Sequence, residues 1–256
     1  MYDYMNNSNT KTVVVTGGSK GIGLDISLGF LEQGYSVFVG SRTTQRPNNL
    51  PDSINYIPTD VRSEIDVINL MKCASEVTGN IDALVNNAGV STWRPLSNID
   101  PEFLANIFST NLFSAFWACK AATKFMKKGA SIINISSIAG KRGSSNNSAY
   151  VASKFGMNGL TQSLAKELGP RGIRVNGICP VLITTPGLID ALRSPDSPAY
   201  PSEPSQFIDK FTATNSALGR MPSGIDVAKM CIFLASSSSE SITGQNINVD
   251  CGVFPQ

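Results

Sequence analysis

The chain is predicted to fold as one α/β domain, a doubly wound parallel sheet of about seven strands with helices on both faces. Short β-branched runs alternate along it with stretches of helical apolar spacing, the pattern of a parallel sheet covered on each side. A glycine-rich turn follows the first of those runs directly. No repeat, charge run or shift of composition divides the 256 residues, a length that α/β sheets often reach as a single unit. Hydrophobic residues make up 41% and charged residues 16%, enough for a large core and too little charge for a disordered chain.

Residues 1–11 (MYDYMNNSNTK) read as a polar tail without the apolar centre of a secretory signal, and the domain is expected over residues 12–256. Residues 12–16 (TVVVT) form the first strand, and apolar spacing predicts a helix over 25–33. Strands are expected at 36–40 (SVFVG), 54–58 (INYIP) and 82–86 (DALVN), with a helix at 65–77. One long helix is read over 103–126, a strand over 131–136 (SIINIS), a second long helix over 150–168, and a strand over 173–178 (IRVNGI). Residues 186–219 are rich in proline and serine and read as a long loop, placed to act as a substrate lid. A helix over 225–235 and a strand over 245–249 complete the order.

Composition also removes functions. With no histidine in the chain, Ser-His-Asp and Cys-His catalysis and histidine-ligated zinc are excluded, and no metal is expected. A net charge of +2 from mixed signs gives no compositional support for a nucleic-acid or membrane surface. The five cysteines are scattered without Cys-x-x-Cys spacing, which fits free thiols and a cytoplasmic setting. A small-molecule ligand is the expected partner.

The turn reads Thr16-Gly17-Gly18-Ser19-Lys20-Gly21-Ile22-Gly23. Glycines at 17, 21 and 23 allow a tight turn and close approach of backbone N–H groups to a phosphate at a helix N-terminus. The stretch also fits Gly-x-Ser-x-Gly, the serine-hydrolase elbow, but no histidine base exists to activate Ser19, which is read instead as a hydroxyl near cofactor phosphates. The end of the second strand is where an acid would accept from an adenosine 2′-hydroxyl, and there the chain has Ser41-Arg42. A hydroxyl and a guanidinium, with Lys20 nearby, match a 2′-phosphate, so NADP(H) is expected over NAD(H). Tyr150 stands four residues before Lys154 and thirteen after Ser137. On a helix the pair shares a face, and an adjacent ammonium is expected to lower the phenol pKa towards working pH.

With these motifs in this order the chain resembles the short-chain dehydrogenase/reductase family, of Rossmann-type fold, from about Thr12 to Gly252. The resemblance rests on the glycine turn, Asp60-Val61, Asn86-Asn87-Ala88-Gly89, Asn111, and Ser137 with Tyr150 and Lys154. It implies that Tyr150 exchanges a proton with the substrate oxygen, Ser137 holds that oxygen, Lys154 binds the nicotinamide ribose, and Asn111 positions a relay water. It implies adenine contacts at Asp60 and Val61, and cofactor contacts at Asn87, Ala88 and Gly89 and at Pro180, Ile183 and Thr185. A homodimer or homotetramer formed through the two long helices is implied as well. The spelling looks closest to the branch of 3-oxoacyl-thioester reductases and sugar dehydrogenases. One departure is Pro180-Val181 where the family has Pro-Gly: either the backbone there suits valine, or the nicotinamide pocket is narrowed, the second being the expectation. The alternatives are an NAD-dependent sugar, polyol or steroid-type dehydrogenase and a non-catalytic cofactor-binding regulator.

Overall fold

A computed structural model describes residues 10–255, so the expected polar tail lies outside the described residues as far as residue 9. Seven strands, β1 (Thr12–Thr16), β2 (Ser36–Ser41), β3 (Asn55–Pro58), β4 (Ala83–Asn86), β5 (Ser131–Ile135), β6 (Arg174–Pro180) and β7 (Asn246–Val249), form one sheet. All neighbours are parallel, in the order β3-β2-β1-β4-β5-β6-β7. Side chains alternate across a strand. In β1, Val14 therefore joins one core with Leu84, Ile132 and Val175, while Val13 and Val15 join the other with Val37, Val39 and Ile133. Burying a side chain of this kind contributes about 1.5–3 kcal/mol, and both faces are lined with them.

Helices close each face. α1 (Gly21–Glu32) and α8 (Gly224–Ala235) cover the second core through Ile26, Phe30, Val227 and Leu234. α2 (Glu64–Thr78), α4 (Ser114–Ala122) and α5 (Ser148–Leu168) cover the first through Leu70, Met71, Ala118, Ala122 and Ala165. The starts follow capping chemistry: Ser63 accepts from the Asp66 N–H, and Ser223 and Asp226 form a reciprocal capping box.

Two expectations are corrected. The long helix read over 103–126 begins earlier, as α3 (Pro101–Phe108), because Asp100 accepts from the Phe103 N–H at 2.7 Å and Pro101 takes the first helical position. It then passes through a π-helical turn (Ser109–Phe113) into α4 and ends at Ala122, short of Met126. The second correction concerns residues 186–219, which are not a plain loop. They hold α6 (Pro186–Leu192) and α7 (Pro204–Asn215), each with a proline in its first turn, where the missing N–H is no loss. Leu188, Leu192, Ala199, Phe207 and Ile208 of this segment pack on Trp93.

Candidate active site

Because every strand runs the same way, the segments that follow β1 to β6 all emerge at one edge of the sheet. That edge collects the sequence-predicted residues: the glycine turn after β1, Ser41-Arg42 at the end of β2, Asp60-Val61 after β3, Asn87-Ala88-Gly89 after β4, Ser137 after β5, and Pro180, Ile183 and Thr185 at and after β6. Chain order reverses between β1 and β4, which opens a crevice there, the usual ligand position in such sheets.

The glycine turn is fixed by contacts that a side chain would destroy. Gly17 holds φ +65°, and a Cβ on Gly23 would overlap the Gly17 carbonyl and the Asn87 amide. Asn87 explains this closeness, since its Nδ2 donates to the carbonyls of Thr16 and Gly17 at 3.0 and 3.1 Å. Thr16 was not singled out in the sequence, yet its hydroxyl accepts from the N–H groups of Asn87 and Ala88 at 3.1 and 3.2 Å. Its position as the last residue of β1, facing the next strand's end, was the available signal. Across the crevice, the Thr185 side chain lies 3.4 Å from where a Gly21 Cβ would stand. Thr185 also caps α6 by accepting from the Leu188 N–H at 3.2 Å.

At the start of α1, Lys20 is the cap residue and its side chain makes no capping bond; no acidic residue lies in the first turn. Helix N–H groups left without a side-chain acceptor, beside the positive end of the dipole, suit an anion. The residues present therefore fit a dinucleotide pyrophosphate. Lys20 and Arg42 are exposed, while Ser19 is buried and donates to Ser41 Oγ at 3.1 Å. Asp60 is engaged with Arg62, missed in the sequence: Arg62 Nε and a terminal nitrogen reach both carboxylate oxygens. That hydrogen bonding holds the Asp60 carboxyl below its ordinary pKa, with Arg42 adding a smaller electrostatic pull. Val61 is buried against the core beneath it.

α5 presents Tyr150, Lys154 and Asn158 at four-residue intervals on one face. Asn158 Nδ2 donates to the Gly140 carbonyl at 2.8 Å, fastening the helix to the turn that follows Ser137. Ser137 is extended; its hydroxyl accepts from the Ala139 N–H at 3.1 Å and donates to the Pro180 carbonyl at 3.5 Å. Lys154 is buried, with Nζ donating to the Ile135 carbonyl at 2.8 Å and lying 5.7 Å from the centre of the Tyr150 ring. Asn111 sits in the π-helical turn, fully buried. Its Oδ1 accepts from the Val90 N–H at 2.8 Å, and its Nδ2 donates to the Val90 carbonyl and to Ser153 Oγ at 2.9 and 3.2 Å. A π turn inserts one residue and rotates the following register, and such turns recur at functional sites. Gly89 lies beside both groups: a Cβ there would stand in ordinary van der Waals contact with Asn111 Oδ1 at 3.5 Å and Lys154 Nζ at 3.8 Å.

One electrostatic expectation is corrected. Burial raises the Tyr150 pKa above that of an ordinary phenol, while hydrogen bonding from Ser137 lowers it and Cys179 adds a small rise. Lys154 is itself depressed by burial, from 10.5 to about 8, so its charge is less secure than the sequence argument assumed. Desolvation sets the direction for both groups. The consequence is testable through stability. Below pH 8 the buried ammonium is charged in both states and its full penalty opposes folding. Between about 8 and 10.5 the folded protein sheds this proton while the unfolded chain keeps it, so stability rises with pH and the penalty is gone above that window. Wild type should therefore gain up to about 3 kcal/mol relative to Lys154→Met across that range, read from urea unfolding of both proteins at pH 7.5 and 10. A constant difference between the two would refute the depressed value.

The backbone at Val181 is ordinary: among the described residues only Asn146 and Cys251 are non-glycine residues at positive φ. The first reading of the Pro-Val departure therefore holds. In the lid segment Arg193 is paired at 3.3 Å with Asp190, and both are exposed. All five cysteines are free.

Comparison with known proteins agrees with this geometry. The family model described as short chain dehydrogenase matches residues 11–194. The chain is 34% identical to L-2,3-butanediol dehydrogenase of Corynebacterium glutamicum over 258 residues, covering 96% of this chain and 99% of the relative. Thermoplasma acidophilum aldohexose dehydrogenase, solved in ligand-free form, is similar with a TM-score of 0.86 and 30% identity, over 98% of this chain and 99% of that one. A variant of actinorhodin polyketide ketoreductase solved with NADPH is similar with a TM-score of 0.88 and 29% identity, over 97% and 99% of the two chains.

Proposed function

This chain belongs to the short-chain dehydrogenase/reductase family and is an oxidoreductase of the alcohol/carbonyl pair, and from that premise we propose that it uses NADP(H) and works mainly as a carbonyl reductase. The observation that carries the reading is the convergence of Ser137, Tyr150 and Lys154 at the end of β5, beside a glycine turn whose helix start has no side-chain cap. The turn residues Gly17, Ser19, Gly21, Ile22 and Gly23 hold the pyrophosphate side; Lys20, Ser41 and Arg42 hold a 2′-phosphate; Asp60 and Val61 flank the adenine. Asn87, Ala88, Gly89, Pro180, Ile183 and Thr185 line the remaining length. When bound, the nicotinamide gives or takes hydride at the carbonyl carbon. Tyr150 hands its proton to the substrate oxygen during reduction and takes one during oxidation. Ser137 holds that oxygen through a hydrogen bond.

Lys154 serves the ribose hydroxyls and the electrostatics of Tyr150. Asn111 fixes Val90, the residue after Gly89, and keeps lone-pair capacity on Oδ1 for a relay water. Lid residues 186–219, packed on Trp93, bound the substrate space. The test is steady-state oxidation of NADPH and NADH with ketones, keto-sugars and short 3-oxoacyl thioesters. A preference for NADPH in kcat/KM of about tenfold or more is expected, and equal use of the two nucleotides would remove the NADP(H) half of the proposal. The dehydrogenase names of two similar proteins favour, as a second reading, the oxidation of a polyol or sugar, for which NAD is the alternative nucleotide.

We further propose that the chain self-associates through α4 and α5. Phe113 at the π-helical turn, Phe116 on α4 and Phe155 on α5 are 46–47% exposed, while Ala115, Met157 and Leu160 pack between the helices and Ala118, Ala121 and Ala122 serve the sheet. Light scattering should give a mass two or four times 27.2 kDa at micromolar concentration; a single-chain mass would overturn the assembly.

A further inference from the structure

The start of the segment that follows β2 is gripped by a hydroxyl from the neighbouring strand β3. Tyr56 lies on β3 opposite Val39, and its ring packs against the core that α1 covers. Its hydroxyl reaches the end of the neighbouring strand, 2.8 Å from Ser41 Oγ, 2.6 Å from Thr43 Oγ1, 3.2 Å from the Ser41 carbonyl and 2.5 Å from the Thr43 carbonyl. Ser41 Oγ in turn accepts from Ser19 Oγ in the glycine turn. Asn49 Nδ2 donates to the Ser19 carbonyl at 3.2 Å, and Arg46 donates to the carbonyls of Ile54 and Pro51, so the rest of the β2–β3 connection is fastened as well.

A phenol has one proton and two lone pairs. One arrangement satisfies the whole group: Ser19 donates to Ser41, Ser41 and Thr43 donate to Tyr56, and Tyr56 donates to the Thr43 carbonyl. In that arrangement Tyr56 occupies a carbonyl oxygen that would otherwise repel an incoming anion. The protons of Ser19, Ser41 and Thr43 are engaged within this group, and each turns towards a phosphate by leaving its bond. Arg42 stands between the two residues that Tyr56 holds, so the direction of its backbone is set by the same contact.

We propose that Tyr56 is a positioning residue for nucleotide choice, which selects a 2′-phosphate over a 2′-hydroxyl by fixing Ser41–Thr43. The proposal rests on the NADP(H) reading above and deepens it. The test is calorimetric titration of wild type and Tyr56→Phe with NADP+, NAD+ and 2′,5′-ADP, a probe that lacks the nicotinamide and so reports nothing of turnover. Tyr56→Phe keeps the packed ring and removes only the hydroxyl. It should weaken NADP+ and 2′,5′-ADP about tenfold each and leave NAD+ within about twofold. Equal weakening of NADP+ and NAD+ would mark a merely structural tyrosine, and unchanged affinities would mark an idle one; either overturns the proposal. Wild type that binds NAD+ as tightly as NADP+ overturns the underlying reading instead, and is recognised before any variant is made. If Tyr56→Phe does not fold, Thr43→Val, at an exposed position, removes one hydroxyl of the same group. It should weaken 2′,5′-ADP severalfold and spare NAD+, with no discrimination again counting against the proposal.

Discussion

Tyr150→Phe is expected to lower kcat by about 10³–10⁴-fold while leaving the dissociation constant for NADPH within about twofold. The substitution removes one oxygen and keeps the ring, which stands four residues from Lys154 on α5 beside the turn carrying Ser137. What is lost is the proton, and without it a carbonyl oxygen that gains charge has only the Ser137 hydroxyl to stabilise it. Burial holds the Tyr150 pKa above the ordinary phenol value, so the residue is protonated across the neutral range and ready to act in reduction. Alcohol oxidation needs the phenolate and should rise with pH, whereas ketone reduction should decline at alkaline pH. Rates in both directions from pH 6 to 10, with NADPH affinity measured by fluorescence titration, check this. Retained turnover in the Phe variant, or a loss explained by nucleotide affinity, would contradict the proton-donor role.

Tyr150 also shows where reading residues alone stops. Four-residue spacing on a helix gave the shared face of Tyr150 and Lys154, because helix geometry is local and needs no knowledge of the rest of the chain. The direction of the pKa change depends on what covers the pair, and that is set by β5, β6 and the turn after Ser137, far away in sequence. The ammonium donates to the Ile135 carbonyl, and desolvation dominates both groups. Tyr56 escaped notice for the same reason. Its partners at Ser41 and Thr43 lie far back in the chain and adjoin it only through the register of β2 with β3. Asn111 was visible as a residue, but the π-helical turn that aims it at Val90 leaves no mark in apolar spacing.

The strands were legible because those of a parallel sheet are buried on both faces and read as short β-branched runs, unbroken in Thr12–Thr16 and interrupted by Asn134 in Ser131–Ile135. Segments where one residue type has two meanings were less legible. Pro186 and Pro204 read as loop residues by composition, yet each opens a helix, and Asp100-Pro101 starts α3 where apolar spacing alone suggested a later beginning. Proline ends helices and also begins them; the position of its neighbours decides, and in the lid that decision belongs to packing on Trp93.

Replacing Lys20 and Arg42 together by alanine should weaken NADPH about 100-fold and leave NADH within about twofold. Both side chains are exposed, and neither forms an ion pair among the described residues, so their removal takes little from the fold. Their whole effect should therefore appear in binding. Each offers charge-assisted donors to a dianion, and partial solvent exposure moderates the gain to about tenfold apiece. Wild-type affinity for NADPH should fall as salt rises from 50 to 500 mM, and the double variant should lose most of that dependence. NADH lacks the 2′-phosphate, so it should show little of either effect. Parallel loss of both nucleotides would instead place the two cations on the shared pyrophosphate. In that event Ser41, Thr43 and Tyr56 would be left facing a ribose hydroxyl, and the missing acid at the end of β2 would have no counterpart in function.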